Sequence, residues 1–386
     1  MSAAPQFFDD PPLTSPSPPT LRALPGGEID EGLREAEALT QNNEHAAALE
    51  RLETLWPSVR DVPALALRHR LTASWAEMYC GRLDVAANLL ANAETIVRSP
   101  HFDAADRAAV LYRRGCVALK RVEVAEAITL FTGALETNAR SARPSVLLAA
   151  DVRNWRSRCY QLRRDWDAAA RDAEASLELA TEAGCERARA HAMFQASLVA
   201  ERQRNWLLAR FHAEQALEIY RRRGDTLSEA RILNNIGGID FLLGDVKAAE
   251  RALQDAAATA LRAGSNADVA QATSSLAQVC LRTDRPGEAR VHAHAALELL
   301  AGRADFLEET GNAQLVVAKA YVAERDAESA APWLDLAQQT FQQLALSSQF
   351  AAVLMARGDL ARALGDEPAA ATLYRQAADS LQDFHF

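Results

Sequence analysis

The chain has 386 residues, a formal net charge of -10, 49% apolar residues and only 17 glycines. An acidic balance of this kind lacks the basic face that non-specific nucleic-acid binding requires. Five cysteines (Cys80, Cys116, Cys159, Cys185, Cys280) are odd in number and form no CxxC pair, which excludes a disulfide framework and fits buried thiols in a reducing compartment.

Residues 1–27 contain seven of the 14 prolines. Such a segment cannot propagate a helix and is expected to be a flexible, extended tail. It has neither a basic n-region nor an apolar h-region, so no secretion signal is expected. No later stretch reaches the roughly 18 uncharged apolar residues of a membrane span. The expectation is a soluble, cytoplasmic protein. Within the tail, Gln6-Phe7-Phe8-Asp9-Asp10 sets an aromatic pair beside two acids. It reads either as a solvated tail or as a short docking motif.

From residue 28 to 386 the pattern is one of amphipathic helices in pairs. Nine alanines each open a second helix: Ala48, Ala86, Ala127, Ala169, Ala209, Ala249, Ala289, Ala330 and Ala370, spaced 38 to 42 residues apart. Twelve residues before each stands a small residue (Ala36, Ser74, Gly115, Ser157, Ser197, Gly237, Ala277, Ala318, Gly358). Seven residues after each, eight of nine are again small, Leu55 being the exception. Small residues in such columns let two helices approach closely. Turn sequences such as GRLDVA (81–86), RDWDAA (164–169), GDVKAA (244–249) and GDEPAA (365–370) separate the two helices of a pair, with Asp placed to cap the second. The stretch 234–263 shows the unit best, with Gly237 and Gly238 expected at the helix contact and Gly244-Asp245 at the turn. Leu55 and Gly32 mark the first pair as a degraded cap. The last pair lacks a polar capping helix, which leaves Leu373, Tyr374 and Leu381 as an outer face for solvent or another chain.

These columns and turns resemble the tetratricopeptide repeat, whose common unit is 34 residues. The period near 40 is similar to the long-unit members found in bacterial peptide-sensing regulators, maltose-type transcription activators and kinesin light chains. The resemblance implies an all-α fold, a right-handed superhelix (α-solenoid) of about nine antiparallel helix pairs. It also implies that the first helix of each pair lines a concave groove through positions 18, 15, 11, 8 and 7 before the marker alanine. Projected onto this sequence, those positions include Trp75, Tyr79, Tyr112, Asn154, Arg158, His191, Arg231, Asn234, Gln271, Gln278 and Lys319, the expected peptide-binding residues.

In pairs two to nine the projected face carries eight basic residues (Arg68, Lys120, Arg158, Arg202, Arg231, Arg282, Lys319, Arg362) and three acids (Asp151, Glu201, Asp359). Arginine forks pair bidentately with carboxylates, although a solvated Arg-rich helix face gives the same pattern. Asn154, Gln161, Asn234, Gln271, Gln278 and Asn312 form a run of amides. Each carries a donor and an acceptor that fit the backbone of an extended peptide, or alternatively a hydrogen bond between helices. Trp75, Met78, Tyr79 and Tyr112 read as an aromatic ledge for an anchor side chain or as core.

Motifs of catalysis are missing: no Walker loop, GxSxG elbow, HExxH or strand-linked GxGxxG. His292 and His294 are two apart and point to different helical faces, so no metal is expected there. Arg156, Arg163 and Arg164 with Asp165 and Asp167 read as a solvated, salt-bridged surface. No cofactor, metal or catalytic residue is expected. The expected function is a non-enzymatic scaffold that binds an extended, acidic peptide segment. The alternative is a sensory regulator that answers a small peptide or anion by changing superhelix shape and acts through a partner protein. Neither reading involves nucleic acid or membrane. A homodimer would form through the last pair or the tail.

Overall fold

The computed structural model describes residues 26–302, 306–344 and 347–382. The tail motif Gln6–Asp10 and the C-terminal Phe384-His385-Phe386 lie outside the described residues. Among those described, eighteen helices form and no strand. The chain divides into two compact units, one ending at Asn205 and the other starting at Trp206. The first holds α1 (Gly26–Gln41), α2 (His45–Val59), α3 (Pro63–Tyr79), α4 (Leu83–Val97), α5 (Ala104–Lys120), α6 (Val124–Ala139), α7 (Val146–Leu162), α8 (Trp166–Glu182) and α9 (Glu186–Arg202). The second holds α10 (Trp206–Arg223), α11 (Thr226–Leu242), α12 (Val246–Arg262), α13 (Asn266–Arg282), α14 (Pro286–Leu300), α15 (Leu307–Ala323), α16 (Ala327–Gln343), α17 (Ser347–Ala363) and α18 (Glu367–Gln382).

Within each unit every helix packs on its chain neighbours, and the first helices of successive pairs also touch. In the first unit α1, α3, α5, α7 and α9 form that continuous layer; in the second it is α11, α13, α15 and α17. The second helices of successive pairs do not pack on one another in this way. A stack whose layers are held together on one side only must curve, with the touching layer inside. The inner face of each unit is therefore made by first helices.

The small-residue columns are the buried seams. All nine marker alanines are at most 1% exposed, and the columns twelve before and seven after them are buried as well. Volumes are matched across the seam. A Cβ on Gly115 would lie 2.6 Å from the Phe131 ring, and one on Gly358 would lie 2.5 Å from Tyr374. Gly237 lets Leu253 and the Ala249 carbonyl come close, at 2.5 and 3.1 Å from the same imagined atom. Where the seam residue is Ala36 or Ala318, the residue four after the marker is the smaller Leu52 or Leu334, each buried in the same cluster as its alanine. The first pair is not degraded by Leu55. That side chain is fully buried, and Gly32 makes its room, since a Cβ there would sit 2.9 Å from a Leu55 methyl. Gly238 is not at the helix contact: nothing lies within 4 Å of its Cβ position, and it opens onto the inner face. In the last pair, Tyr374 spends its ring on Gly358 and donates its hydroxyl to Asp359 at 2.7 Å, while Leu373 packs against Leu354 and Ala377. These two residues close their own pair and do not form an outer apolar face. The Leu381 side chain lies outside the described residues.

The turn inside each pair is built the same way nine times. The residue five before the marker alanine has a left-handed φ in every pair: Asn43, Gly81, Val122, Arg164, Arg204, Gly244, Asp284, Arg325 and Gly365, between 58 and 89°. The next N–H then bonds back to a carbonyl five residues earlier, as in Asp245 to Asp240 at 2.9 Å and Asp165 to Tyr160 at 2.9 Å. This is the helix-ending bond made possible by a left-handed residue. Asp165, Asp245, Asp326 and Asp366 also cap the second helix, each accepting from the N–H three residues on. Only three of the nine left-handed positions are glycine. Val122 is the costliest, because a β-branched side chain crowds the carbonyl in this region. It is also 76% exposed. Val122→Gly is expected to raise chain stability by about 1 kcal/mol, read as a higher urea midpoint.

One surface expectation is corrected. Arg156 is not part of a solvated network with Asp165 and Asp167. It donates to the buried Asp172 carboxylate at 2.6 and 2.9 Å, and Arg153 donates to the same group at 2.9 Å. A carboxylate this buried is tolerable only when paired and hydrogen-bonded on both oxygens.

Candidate ligand-binding faces

On the first unit's inner face, α3, α5 and α7 bring aromatic rings into one ladder. The Trp75 ring lies 5.1 Å from Tyr79, 6.4 Å from Tyr112 and 5.7 Å from Trp155. His45 stacks on the far side of Tyr79 at 4.6 Å. Cations cover these rings: Arg113 sits 4.0 Å over Trp75, Arg158 4.8 Å over Trp155, and Lys120 5.2 Å over Tyr79. The expected ledge therefore splits. Tyr112 (6% exposed) and Met78 are core, and burial pushes the Tyr112 hydroxyl pKa well up. Tyr79 is 39% exposed and Trp75 is half-buried, so these two remain open to a ligand.

The polar residues of this face also separate. Arg68 is already closed by its own chain, bonding Asp30 at 2.5 Å and Glu37 at 2.8 Å. Gln161 donates to Gln195 at 3.0 Å and ties α7 to α9. His191 is half-buried on α9. Asp151 stands beside Arg187 at 3.6 Å, and burial pushes its carboxyl above the usual carboxylate range against the pull of Arg187 and Arg113. Arg158 is exposed and, among the described residues, has no carboxylate partner. Asn154 is only 8% exposed, and its Oδ1 has no protein partner.

The second unit repeats part of this arrangement on α11, α13 and α15. Asn234 stands at the position equivalent to Asn154, fifteen before the marker alanine, and its buried Oδ1 likewise has no protein partner. Gln271 and Gln278 are exposed on α13, and Arg282 lies 4.6 Å over the Phe241 ring. Lys319 is half-buried on α15, where burial lowers its ammonium pKa and Asp359 partly restores it. Arg231 is not held ready for an incoming carboxylate. It forks onto Asp268 of α13 at 2.9 and 3.2 Å. That pair borders a hollow of about 500 Å³ at the first turns of α11, α13 and α15, which Gln271, Phe306 and Glu309 also line. Its volume falls in the range of small-molecule and peptide side-chain pockets.

The basic lining expected from the sequence is thus partly neutralised within the chain. Arg68, Arg231 and Arg362 each hold an acid of their own unit, while Arg158 and Arg282 stack on rings. Arg113, fourteen before its marker, was missed by the projected positions, as was Trp155 at the same offset. Their signal in the sequence is a large side chain one residue beyond the projected position, close enough to lean over the neighbouring helix. No cluster of metal-binding side chains occurs among the described residues. No described helix is long and apolar enough to cross a membrane.

No family model and no curated protein matches the chain. Solved structures do. A Rap protein complexed with competence and sporulation factor superposes with a TM-score of 0.68 at 19% identity, covering 93% of this chain and 99% of that one. The NprR protein in complex with its cognate peptide NprX gives a TM-score of 0.58 at 13% identity, covering 92% and 98%. A signal-transduction ATPase with a tetratricopeptide repeat sensor from Pyrococcus horikoshii gives 0.61 at 14% identity, covering 89% of this chain and 53% of that one. At such identities the likeness bears on the fold alone. The chain has the all-α, paired-helix fold of the tetratricopeptide-type repeat proteins.

Proposed function

We propose that the chain is a cytoplasmic, non-enzymatic binding protein in which a repeat domain, residues 28–386, receives an extended peptide segment on the inner faces of its units. The observation that carries this reading is the pair Asn154 and Asn234. They occupy the same register on equivalent helices, and each buries an amide oxygen without a protein partner. A buried amide left unpaired costs about 1–3 kcal/mol, and the N–H of an extended peptide supplies what is missing. Around them, the exposed Arg158 and Arg282 sit 4.8 and 4.6 Å over rings, an arrangement suited to carboxylates beside an aromatic or aliphatic anchor. The NprR structure with its cognate peptide shows that a chain of this fold can hold a peptide.

The test is a random peptide library selected on the full-length chain, with the winners titrated onto wild type, Arg158→Glu and Arg282→Glu. Selected peptides are expected to be rich in Asp, Glu and aromatic residues, and to lose about tenfold in affinity, ~1.4 kcal/mol, on the variant of the unit they occupy. Equal affinity for all three chains would place the binding surface elsewhere. A sensory regulator that responds to a small peptide or anion is the second reading, favoured by the hollow beside Arg231 and Gln271. Scattering distinguishes the two: a sensor's radius of gyration changes on binding, and a scaffold's does not.

A further inference from the structure

The inner face of the first unit has a candidate ligand within the chain itself. Phe7-Phe8-Asp9-Asp10 joins two aromatic rings to two carboxylates. The face of α3, α5 and α7 joins open aromatic surface at Trp75 and Tyr79 to the cations Arg113, Lys120 and Arg158. The charges are opposite and the apolar parts are alike.

The face already binds acids from nearby in the chain. Arg68, at its outer end, takes both Asp30 and Glu37 from α1. Beyond Arg68, neither Arg113 nor Arg158 has a carboxylate partner among the described residues.

Reach permits the contact. Phe8 stands eighteen positions before Gly26, where α1 begins. At ~3.1 Å per residue in an extended, proline-rich form they span roughly 55 Å. First helices in contact lie about 8–10 Å apart, and α1, α3, α5 and α7 touch in succession. Trp155 and Arg158 on α7 are thus roughly 30 Å from the start of α1, well inside that span.

We propose that residues 5–13 dock on the α3–α5–α7 face of their own molecule and compete with its peptide ligand, so that an incoming segment must displace the chain's own tail. This rests on reading the face as a peptide site. A tethered segment acts at an effective concentration in the millimolar range, so even a weak docking contact suppresses a ligand of modest affinity.

The test uses a fluorescent peptide of residues 4–14 and two full-length chains, wild type and Phe7→Ala/Phe8→Ala. The variant is expected to bind the probe on the order of tenfold more tightly than wild type, because its own tail no longer competes. Adding Arg158→Glu to the variant should abolish that gain. Equal affinity of the probe for wild type and the double variant overturns the proposal, as does no binding to either. A gain that survives Arg158→Glu overturns it too, since docking would then lie elsewhere. Library-selected peptides that respond to Arg158→Glu while the probe does not bind would sink the tail proposal alone and leave the face reading intact. A photo-crosslinker at position 7 should label α3, α5 or α7 within a monomer; crosslinked dimers would assign the segment to a second copy and contradict docking within one chain.

Discussion

Gly115→Ala is expected to lower stability by about 2–3 kcal/mol, a large effect for one methyl group. The added Cβ would stand 2.6 Å from the fully buried Phe131 ring, so the ring or the helix must shift. Alanine's better helix propensity, worth about 1 kcal/mol, does not offset that overlap. The remedy is present elsewhere in the chain, where Ala36 shares a buried cluster with Leu52 and Ala318 with Leu334. The double variant Gly115→Ala/Phe131→Leu should therefore be more stable than Gly115→Ala alone, a non-additivity of at least ~1 kcal/mol. Gly238→Ala serves as the control. Nothing lies near its Cβ, so it should be neutral or stabilising by about 0.5–1 kcal/mol. Urea midpoints of these four chains and of Phe131→Leu, which completes the cycle, decide the matter, and a Gly115→Ala chain as stable as wild type would show that the seam is looser than described.

Asn154→Ala and Asn234→Ala should act in the opposite sense on two observables. Each removes an amide whose oxygen has no protein partner, so stability should stay within about 0.5 kcal/mol of wild type or rise. Ligand affinity should fall tenfold or more, because the peptide loses a buried hydrogen bond worth about 1–3 kcal/mol. An asparagine that merely ties helices together behaves differently: its loss lowers stability and leaves affinity alone. Gln161, which bonds Gln195 across α7 and α9 at 3.0 Å, is that kind of residue, and Gln161→Ala provides the comparison.

Much of the fold was legible because its signals are local and repeated. The marker alanine, the small residue twelve before and the small residue seven after recur nine times, and all three columns are buried. What the sequence concealed was compensation between columns. Leu55 looked like a defect until Gly32 was seen to accommodate it. Gly237 and Gly238 look alike in sequence, yet one faces Leu253 and the other faces open space. The turns were legible as breaks between helices, with or without glycine, but their shared left-handed residue was not. Val122, Arg164, Arg204 and Arg325 take the same backbone, because the bond that ends the helix imposes it whatever the side chain.

The candidate faces were less legible, for a different reason. Helix register assigns a residue to a face but not a partner. It placed Arg231 on the inner layer and gave no sign that Asp268 holds it. It grouped Tyr112 with Tyr79, although one is core and the other open. Arg113 over Trp75, Lys120 over Tyr79 and Arg282 over Phe241 pair neighbouring first helices roughly forty residues apart in sequence, where no local pattern reports them; Arg158 over Trp155, three residues apart on α7, is the local exception.

The most direct measurement is the side-chain amide spectrum of the full-length chain labelled with 15N-asparagine, recorded with and without a library-selected peptide. Asn154 and Asn234 signals are assigned by their loss in the two alanine variants. If the inner faces hold the peptide through these amides, at least one of the two signals shifts and exchanges more slowly on binding, while those of Asn88 and Asn92 on α4 stay in place. A bound peptide that leaves both Asn154 and Asn234 unmoved would contradict the account.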